Sequence, residues 1–307
     1  MEGPKAQWTM SNGRIDACNA TFETIKPGIY SIQEDKMSGR AHFTEKRMSK
    51  QKVVQLPEMR ASHVVGLVKD FLSHEKDYKE GNEFVHGGAI YKAGILIHGP
   101  PGSGKTSTIQ LVTEEMLRRG DLAIFADCSP SHLASWLQKI NTIEPDRKII
   151  VIMEDLDALV SRYGESGYLN LLDSNSSAEN VLFMATTNYP KRLDPRIYQR
   201  PGRFSQVVEI GLPSRNARRA FLKTILKNHR DVNTIVDGTE GYTIDHLTAL
   251  VNAVYREHKE LYSELARLRD IFGHDKDTGA MADHYIPTSD EEDDLSGDSE
   301  DYCKLIK

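Results

Sequence analysis

Cysteine is scarce in this chain of 307 residues, and the three present, Cys18, Cys128 and Cys303, lie far apart. Such thiols form neither a disulfide framework nor a zinc-ligand spacing, and they suit a reducing compartment. Long apolar runs are also missing. The longest, such as Ile149–Met153, fall far short of the roughly 20 residues that span a bilayer. No basic-then-apolar leader opens the chain, which begins MEGPKAQWTM, so nothing reads as a secretory signal. Together these absences predict a cytoplasmic protein with no membrane insertion. Internal repeats are absent as well, which excludes solenoids and arrays.

Basic charge is missing from one stretch near the end of the chain. The formal charge is −6, yet Thr288–Asp301 holds eight acids and no base, which leaves the remainder close to neutral. A run of this kind repels itself and predicts a disordered tail, solubilising in its simplest role and regulatory or partner-binding otherwise. The one basic cluster, Lys46, Arg47, Lys50 and Lys52 in EKRMSKQK, could neutralise nucleic-acid phosphates. Solvated charge on a sheet edge is the commoner use, and no zinc motif, helix-turn-helix pattern or aromatic stacking platform accompanies it.

What the chain does contain is ILIHGPPGSGKTSTIQL, Ile95–Leu111. Gly99, Pro100, Pro101, Gly102, Ser103, Gly104, Lys105, Thr106 and Ser107 fit the pattern G-x-x-x-x-G-K-[ST] and its immediate continuation. Glycines let successive N–H groups turn toward phosphate oxygens, and the helix that follows adds its positive end. Lys105 is placed to reach β- and γ-phosphates and the Thr106 hydroxyl to hold Mg²⁺. ATP and Mg²⁺ are therefore the expected ligands.

The surrounding pattern agrees. Gly94–His98, Leu122–Ala126, Lys148–Met153, Asn180–Ala185 and Gln206–Ile210 read as strands. Helical patterns fall at Glu58–Lys79, Gly104–Arg119, Ser131–Ile140 and around Tyr168–Asp173. Such alternation predicts an α/β fold with a parallel sheet covered by helices on both faces. After Pro213 strands stop, and Asn216–Asn228 and Thr243–Ile271 read as helices. Residues 1–20 look loose, whereas Phe22–Pro57 reads as β-rich, with QKVVQL as a further strand candidate. The expected division is a β-rich region over 1–57, a P-loop ATPase domain over 58–213, a small all-α lid over 214–272 and an acidic tail over 273–307.

Two more motifs complete a nucleotide site. KIIVIMEDLDAL places Glu154 and Asp155 at the carboxyl end of a buried strand, where ligands of open α/β sheets bind. One such carboxylate can hold Mg²⁺ and its neighbour can polarise water. NVLFMATTN ends in Asn188, whose amide could orient that water. QRPGRF carries Arg200 and Arg203, which could stabilise γ-phosphate charge in the transition state.

In this order and spacing, GPPGSGKT, Glu154–Asp155, ATTN, LDP and RPGRF resemble the AAA ATPases over about Met59–Ile271. Within that family, AGILIHGPPGSGKTS, IIVIMEDLDAL, SGYLNLLDS and ATTNYPKRLDPRIYQRPGRF are most similar to the branch of the mitochondrial Rieske iron–sulfur protein translocase; AAA ATPases of large bacteriophages also look similar. The resemblance implies Asn188 as first sensor and Arg200 and Arg203 as arginines acting on a neighbouring subunit. It also implies Asp155 as the water-activating acid and Glu154 as the Mg²⁺ ligand, an order reversed from most AAA proteins and shared by that branch. It further implies a homo-oligomeric ring, hexamer or heptamer, that remodels or translocates a protein substrate. Trp136-Leu137-Gln138 falls near the position of a pore loop, lacks its glycine and reads as helix core. The alternative function is a DNA-linked ATPase such as a helicase loader or replication factor, with nucleic acid the less favoured partner.

Overall fold

The computed structural model describes residues 7–11, 14–18, 23–34, 41–47, 53, 56–80, 90–173, 179–200, 202–227 and 230–268. The acidic run and most of QKVVQL lie outside them, as do Lys50 and Lys52. The expected tail over 273–307 does too.

In chain order the elements are β1 (Gln7–Ser11), β2 (Arg14–Cys18), β3 (Gly28–Glu34), β4 (Ala41–Glu45), α1 (Ala61–Ser73) and α2 (Glu75–Glu80). Then come β5 (Lys92–His98), α3 (Lys105–Arg118), β6 (Leu122–Phe125), α4 (Pro130–Ile143), β7 (Ile149–Met153), α5 (Leu156–Tyr163), α6 (Glu165–Leu172), β8 (Val181–Thr187), α7 (Pro195–Tyr198) and β9 (Gln206–Glu209). Last are α8 (Arg215–Leu226), α9 (Val232–Gly238) and α10 (Ile244–Tyr255), and the chain is helical again over 261–268.

Seven strands form one sheet in the order β4-β3-β6-β7-β8-β5-β9. Every neighbouring pair is parallel except β3 with β4. Alternate residues of the central strands feed opposite faces. Ile149, Val151 and Met153 pack on one side with Leu133 and Leu137 of α4 and Leu171 and Leu172 of α6. Ile150 and Ile152 pack on the other with Val64 and Val68 of α1 and Ile109 and Val112 of α3. Both faces are dry, so the central strands must be apolar without interruption. Helix starts carry their own signals. Ser129 accepts from the N–H of His132 with Pro130 as first residue of α4, and Ser214 accepts from the N–H of Ala217 at the start of α8, each satisfying a donor that the helix leaves orphaned.

Beyond β9 the helices α8, α9 and α10 and the helical stretch over 261–268 close a separate core around Leu222, Ile235, Val236, Leu247 and Leu250. This core lies apart from the sheet's two layers. It is joined to the segment before α1 through Glu58, which accepts from Ser214 Oγ and, at 2.8 Å, from Asn216 Nδ2.

Two features differ from the sequence reading. Residues 1–20 contain the antiparallel pair β1–β2, joined in register from Gln7–Cys18 to Ser11–Arg14; five-residue strands with few apolar residues leave little pattern to read. The boundary expected at Pro57 does not separate two sheets. β3 pairs in parallel with β6, Gly28 opposite Leu122 and Ser31 opposite Phe125, so β3 and β4 extend the main sheet. Trp136 lies on α4, partly buried, with its ring 4.5 Å from Phe43 of β4 and Lys139 Nζ 4.6 Å above it. It packs the helix onto the added strands. Of the basic cluster, Lys46 lies at the surface, 3.6 Å from Asp127 and over the Phe125 ring.

Removal of residues 1–57 should therefore uncover the hydrogen-bonding edge of β6, whose four residues are all buried, and produce an aggregating protein. Size-exclusion chromatography of the truncated chain checks this; a monodisperse product with an unchanged melting temperature would contradict it.

Candidate nucleotide site

The site forms beyond the carboxyl ends of β5, β7 and β8. The loop leaving β5 reaches α3 through Gly99, Gly102 and Gly104, all with positive φ. Gly99 (φ +149°) has no room for a side chain: a β-carbon there would lie 2.1 Å from the carbonyl oxygen of Ile210. Close by, Ile210 N–H donates to His98 O at 2.7 Å, which clamps the loop's first residues against the end of β9. Ser103 N–H donates to Pro100 O at 3.2 Å and tightens the turn. The Ser103 hydroxyl is buried and finds no partner among the described residues. Gly104 caps α3 without a side chain, so the first-turn N–H groups at Lys105, Thr106 and Ser107 have no intrahelical acceptor. That is the arrangement that attracts anions.

A cavity of about 270 Å³ opens in front of this helix end, lined by Pro101, Gly102, Gly104, Lys105, Thr106 and Ser107 of the loop and helix, Glu154 and Asp155 after β7, Thr186 and Asn188 at β8, and Asp245 of α10. Lys105 is buried, and its ammonium group donates to Gly99 O at 2.8 Å and to Pro100 O at 2.9 Å. Burial pulls its pKa down to about 8, while the carboxylates of Asp155 and Asp245 pull it back up.

Asp155 has left-handed backbone angles, φ 48° and ψ 58°, at the start of α5. A non-glycine residue pays for that conformation, and the surroundings hold it there: its N–H donates to Thr186 Oγ1 at 3.2 Å. The neighbouring Thr187 Oγ1 donates to Asp157 Oδ1 at 2.6 Å and accepts from the N–H of Tyr189 at 2.9 Å. Two threonines of β8 thus fix the turn after β7 on one side and the chain beyond Asn188 on the other. TTN in the sequence suggested only Asn188; the threonines become visible as supports once β7 and β8 are seen to pair.

Of the residues expected at the site, the structure brings together Pro101, Gly102, Gly104, Lys105, Thr106, Ser107, Glu154, Asp155 and Asn188. Gly99, Pro100 and Ser103 shape the loop behind the cavity. Arg200 and Arg203 do not line it. Arg203 is almost fully buried and grips Asp173 with two hydrogen bonds, at 2.9 and 3.2 Å, and also donates to Arg196 O. The hydrogen bond from Arg203 holds the Asp173 carboxyl below its usual range. Arg200 is exposed, 3.7 Å from the same carboxylate. The two arginines therefore differ in setting: Arg203 is bonded within its own chain, because the turn that carries it folds back on α6. Asp245 was absent from the sequence reading of the site, and the structure brings it there from the start of α10. Among the described residues no cluster of three or more His, Cys, Asp or Glu side chains is arranged to hold a metal ion, and no helix is long and apolar enough to cross a membrane.

A glycine loop running from a central strand into a helix, with an acidic pair at the tip of a neighbouring strand, defines a P-loop nucleotide-binding protein. Residues 95–212 match the sequence model of the family described as ATPase family associated with various cellular activities (AAA); the chain carries an AAA ATPase domain. It is similar to the ATP-dependent zinc metalloprotease FtsH of Acidothermus cellulolyticus, 28% identical over 73% of this chain and 39% of that protein. The ATPase family gene 2 protein of Schizosaccharomyces pombe is 29% identical over 59% of this chain and 25% of its own length. Protein CdcH of Halobacterium salinarum is 26% identical over 72% and 33%. The chain thus spans well under half the length of these relatives.

Because Gly99 meets backbone rather than a movable side chain, Gly99→Ala should displace the loop and destabilise the fold by roughly 1–3 kcal/mol, with nucleotide binding lost. Chemical denaturation checks the first effect; a variant as stable as the parent would show that the loop is not clamped.

Proposed function

We propose that this protein is a cytoplasmic, ring-forming ATP hydrolase that uses ATP with Mg²⁺ to remodel or translocate a protein substrate. The observation that carries the reading is the convergence of Lys105, Thr106, Glu154, Asp155 and Asn188 on one cavity at the start of α3. The residues fit the ligands: backbone N–H groups and a buried lysine for phosphate, and the hard oxygen donors of Thr106 and Glu154 for Mg²⁺. Bound Mg²⁺ supplies charge neutralisation on the phosphates. Lys105 exchanges its two loop carbonyls for phosphate oxygens, and Asp155 accepts the proton of the attacking water. Asp155 is one methylene shorter than the glutamate usual in this role, and its left-handed backbone and bond to Thr186 fix where the short carboxylate points. Asn188 orients the water.

Arg200 is the arginine suited to act across a subunit interface. A ring of six or seven copies would let it complete the next copy's site, since a repeated heterologous contact closes on itself. The residues near a pore-loop position favour no aromatic-x-Gly grip, because Trp136 packs against Phe43. A DNA-linked ATPase draws less support: Lys46, the first of the basic cluster, is already paired with Asp127 at the surface.

Lys105→Ala should abolish ATP binding or turnover, read by calorimetry and phosphate release; unchanged hydrolysis would sink the reading. Asp155→Asn should bind ATP without hydrolysing it, whereas Glu154→Gln should weaken the Mg²⁺ dependence. The reverse pattern would exchange the two roles.

An arginine acting in trans contributes roughly 10³–10⁵ in rate, so Arg200→Ala should bind ATP but scarcely turn it over. Mixed with Lys105→Ala it should regain partial activity, since intact loops and intact arginines then meet across some interfaces. Verified mixed oligomers with no recovery at any ratio would contradict the trans arginine.

A further inference from the structure

One acid in the cavity belongs to none of the motifs assigned so far. Asp245 is the second residue of α10, which comes from the helical core rather than the sheet. Its position is set by a reciprocal cap. Thr243 Oγ1 accepts from the N–H of His246 at 3.3 Å, and His246 Nδ1 accepts from the N–H of Thr243 at the same distance. An acid in a first helical turn suits the helix dipole, and that alone would explain an aspartate facing solvent. This one is exposed too, but it also lines the cavity. A β-carbon added to Gly102 would lie 2.8 Å from Thr243 Oγ1 and 3.0 Å from Asp245 Oδ2. The carboxylate therefore sits against the tip of the phosphate loop, and its field reaches Lys105.

The charges around the cavity are unbalanced. Lys105 is its one cationic lining side chain among the described residues, against Glu154, Asp155 and Asp245. Glu154 and Asp155 have roles in the proposed hydrolysis. Asp245 has none, and it approaches from the side where a bound polyphosphate would bring like charge.

We propose that Asp245 is a charge-selecting residue of the nucleotide site: it opposes anionic phosphates at Gly102–Thr106, most strongly for the most highly charged nucleotide. This rests on the nucleotide reading of the cavity. The opposition is reciprocal, because two sites that disfavour each other do so by one free energy. Phosphate held on the loop drives α10 away from Gly102, and α10 docked on Gly102 weakens the hold on phosphate. The helical core thereby senses the number of charges in the site through a single carboxylate, and loss of the γ-phosphate relaxes the repulsion.

The test is equilibrium binding of fluorescent N-methylanthraniloyl ATP, ADP and adenosine to the full chain, with and without Mg²⁺, for the parent, Asp245→Asn and Lys105→Ala. Asparagine keeps the shape packed on Gly102 and removes only the charge. Asp245→Asn should bind the ATP probe about tenfold more tightly at low salt, the ADP probe by a smaller factor and the adenosine probe unchanged, with the gain shrinking as ionic strength rises. Unchanged or weaker ATP binding would overturn the proposal, as would an equal gain for adenosine, which points to packing. A loss confined to the Mg²⁺ series would also overturn it by making Asp245 a metal-side ligand. A parent chain with no ATP affinity dependent on Lys105 would defeat the nucleotide reading and this inference together. Binding through Lys105 with no response to Asp245→Asn defeats this inference alone.

Discussion

The phosphate loop is held from two sides, and the rest of the site follows from that confinement. Below it, the backbone of Ile210 comes so near Gly99 that only a glycine fits. Above it, Thr243 and Asp245 stand so near Gly102 that a β-carbon there would crowd them. β9 and α10 belong to different parts of the chain, so the loop is bounded by the sheet on one side and by the helical core on the other. The lysine at its end responds to the same squeeze. Buried and bonded to two carbonyls of its own loop, it stands ready for an anion at the cost of a depressed affinity for its proton.

The arginine turn shows the opposite economy. Arg203 spends its guanidinium on Asp173 and on the backbone of Arg196, and so fastens the strand-end turn to α6. An exposed residue three positions earlier inherits a well-defined place from that anchoring. Arg200 can be aimed outward because its neighbour is tied inward. A buried arginine of this kind is positioned by planar, two-pronged bonding that a lysine could not reproduce.

Much of this was legible in the sequence where one element carries both pattern and chemistry. The loop from Gly99 to Thr106, the uninterrupted IIVIM of β7 and the acids after it identify their own positions, because both sheet faces are buried and the ligand end of a parallel strand is fixed by chain direction. Short or mixed elements were harder. α5 opens on acids and a left-handed aspartate, α9 has seven residues, and β1 and β2 are too brief for alternation to register. The division of labour between Arg200 and Arg203 is a matter of what the chain meets after folding, and RPGRF is symmetric on paper. Asp245 escaped for the same reason: its neighbour Gly102 lies far away along the chain, and nothing local signals the contact.

The place of β3 in the sheet also bears on how the chain acquires its structure. β3 is synthesised early, yet its parallel partner is β6, with Gly28 opposite Leu122. Until that partner emerges from the ribosome, β3 has one side paired with β4 and the other waiting, and the aromatic face that later meets α4 has nothing to cover it. Closing so long a loop costs entropy before any contact repays it. The first strands of the main sheet to be made are thus placed only by a strand made much later.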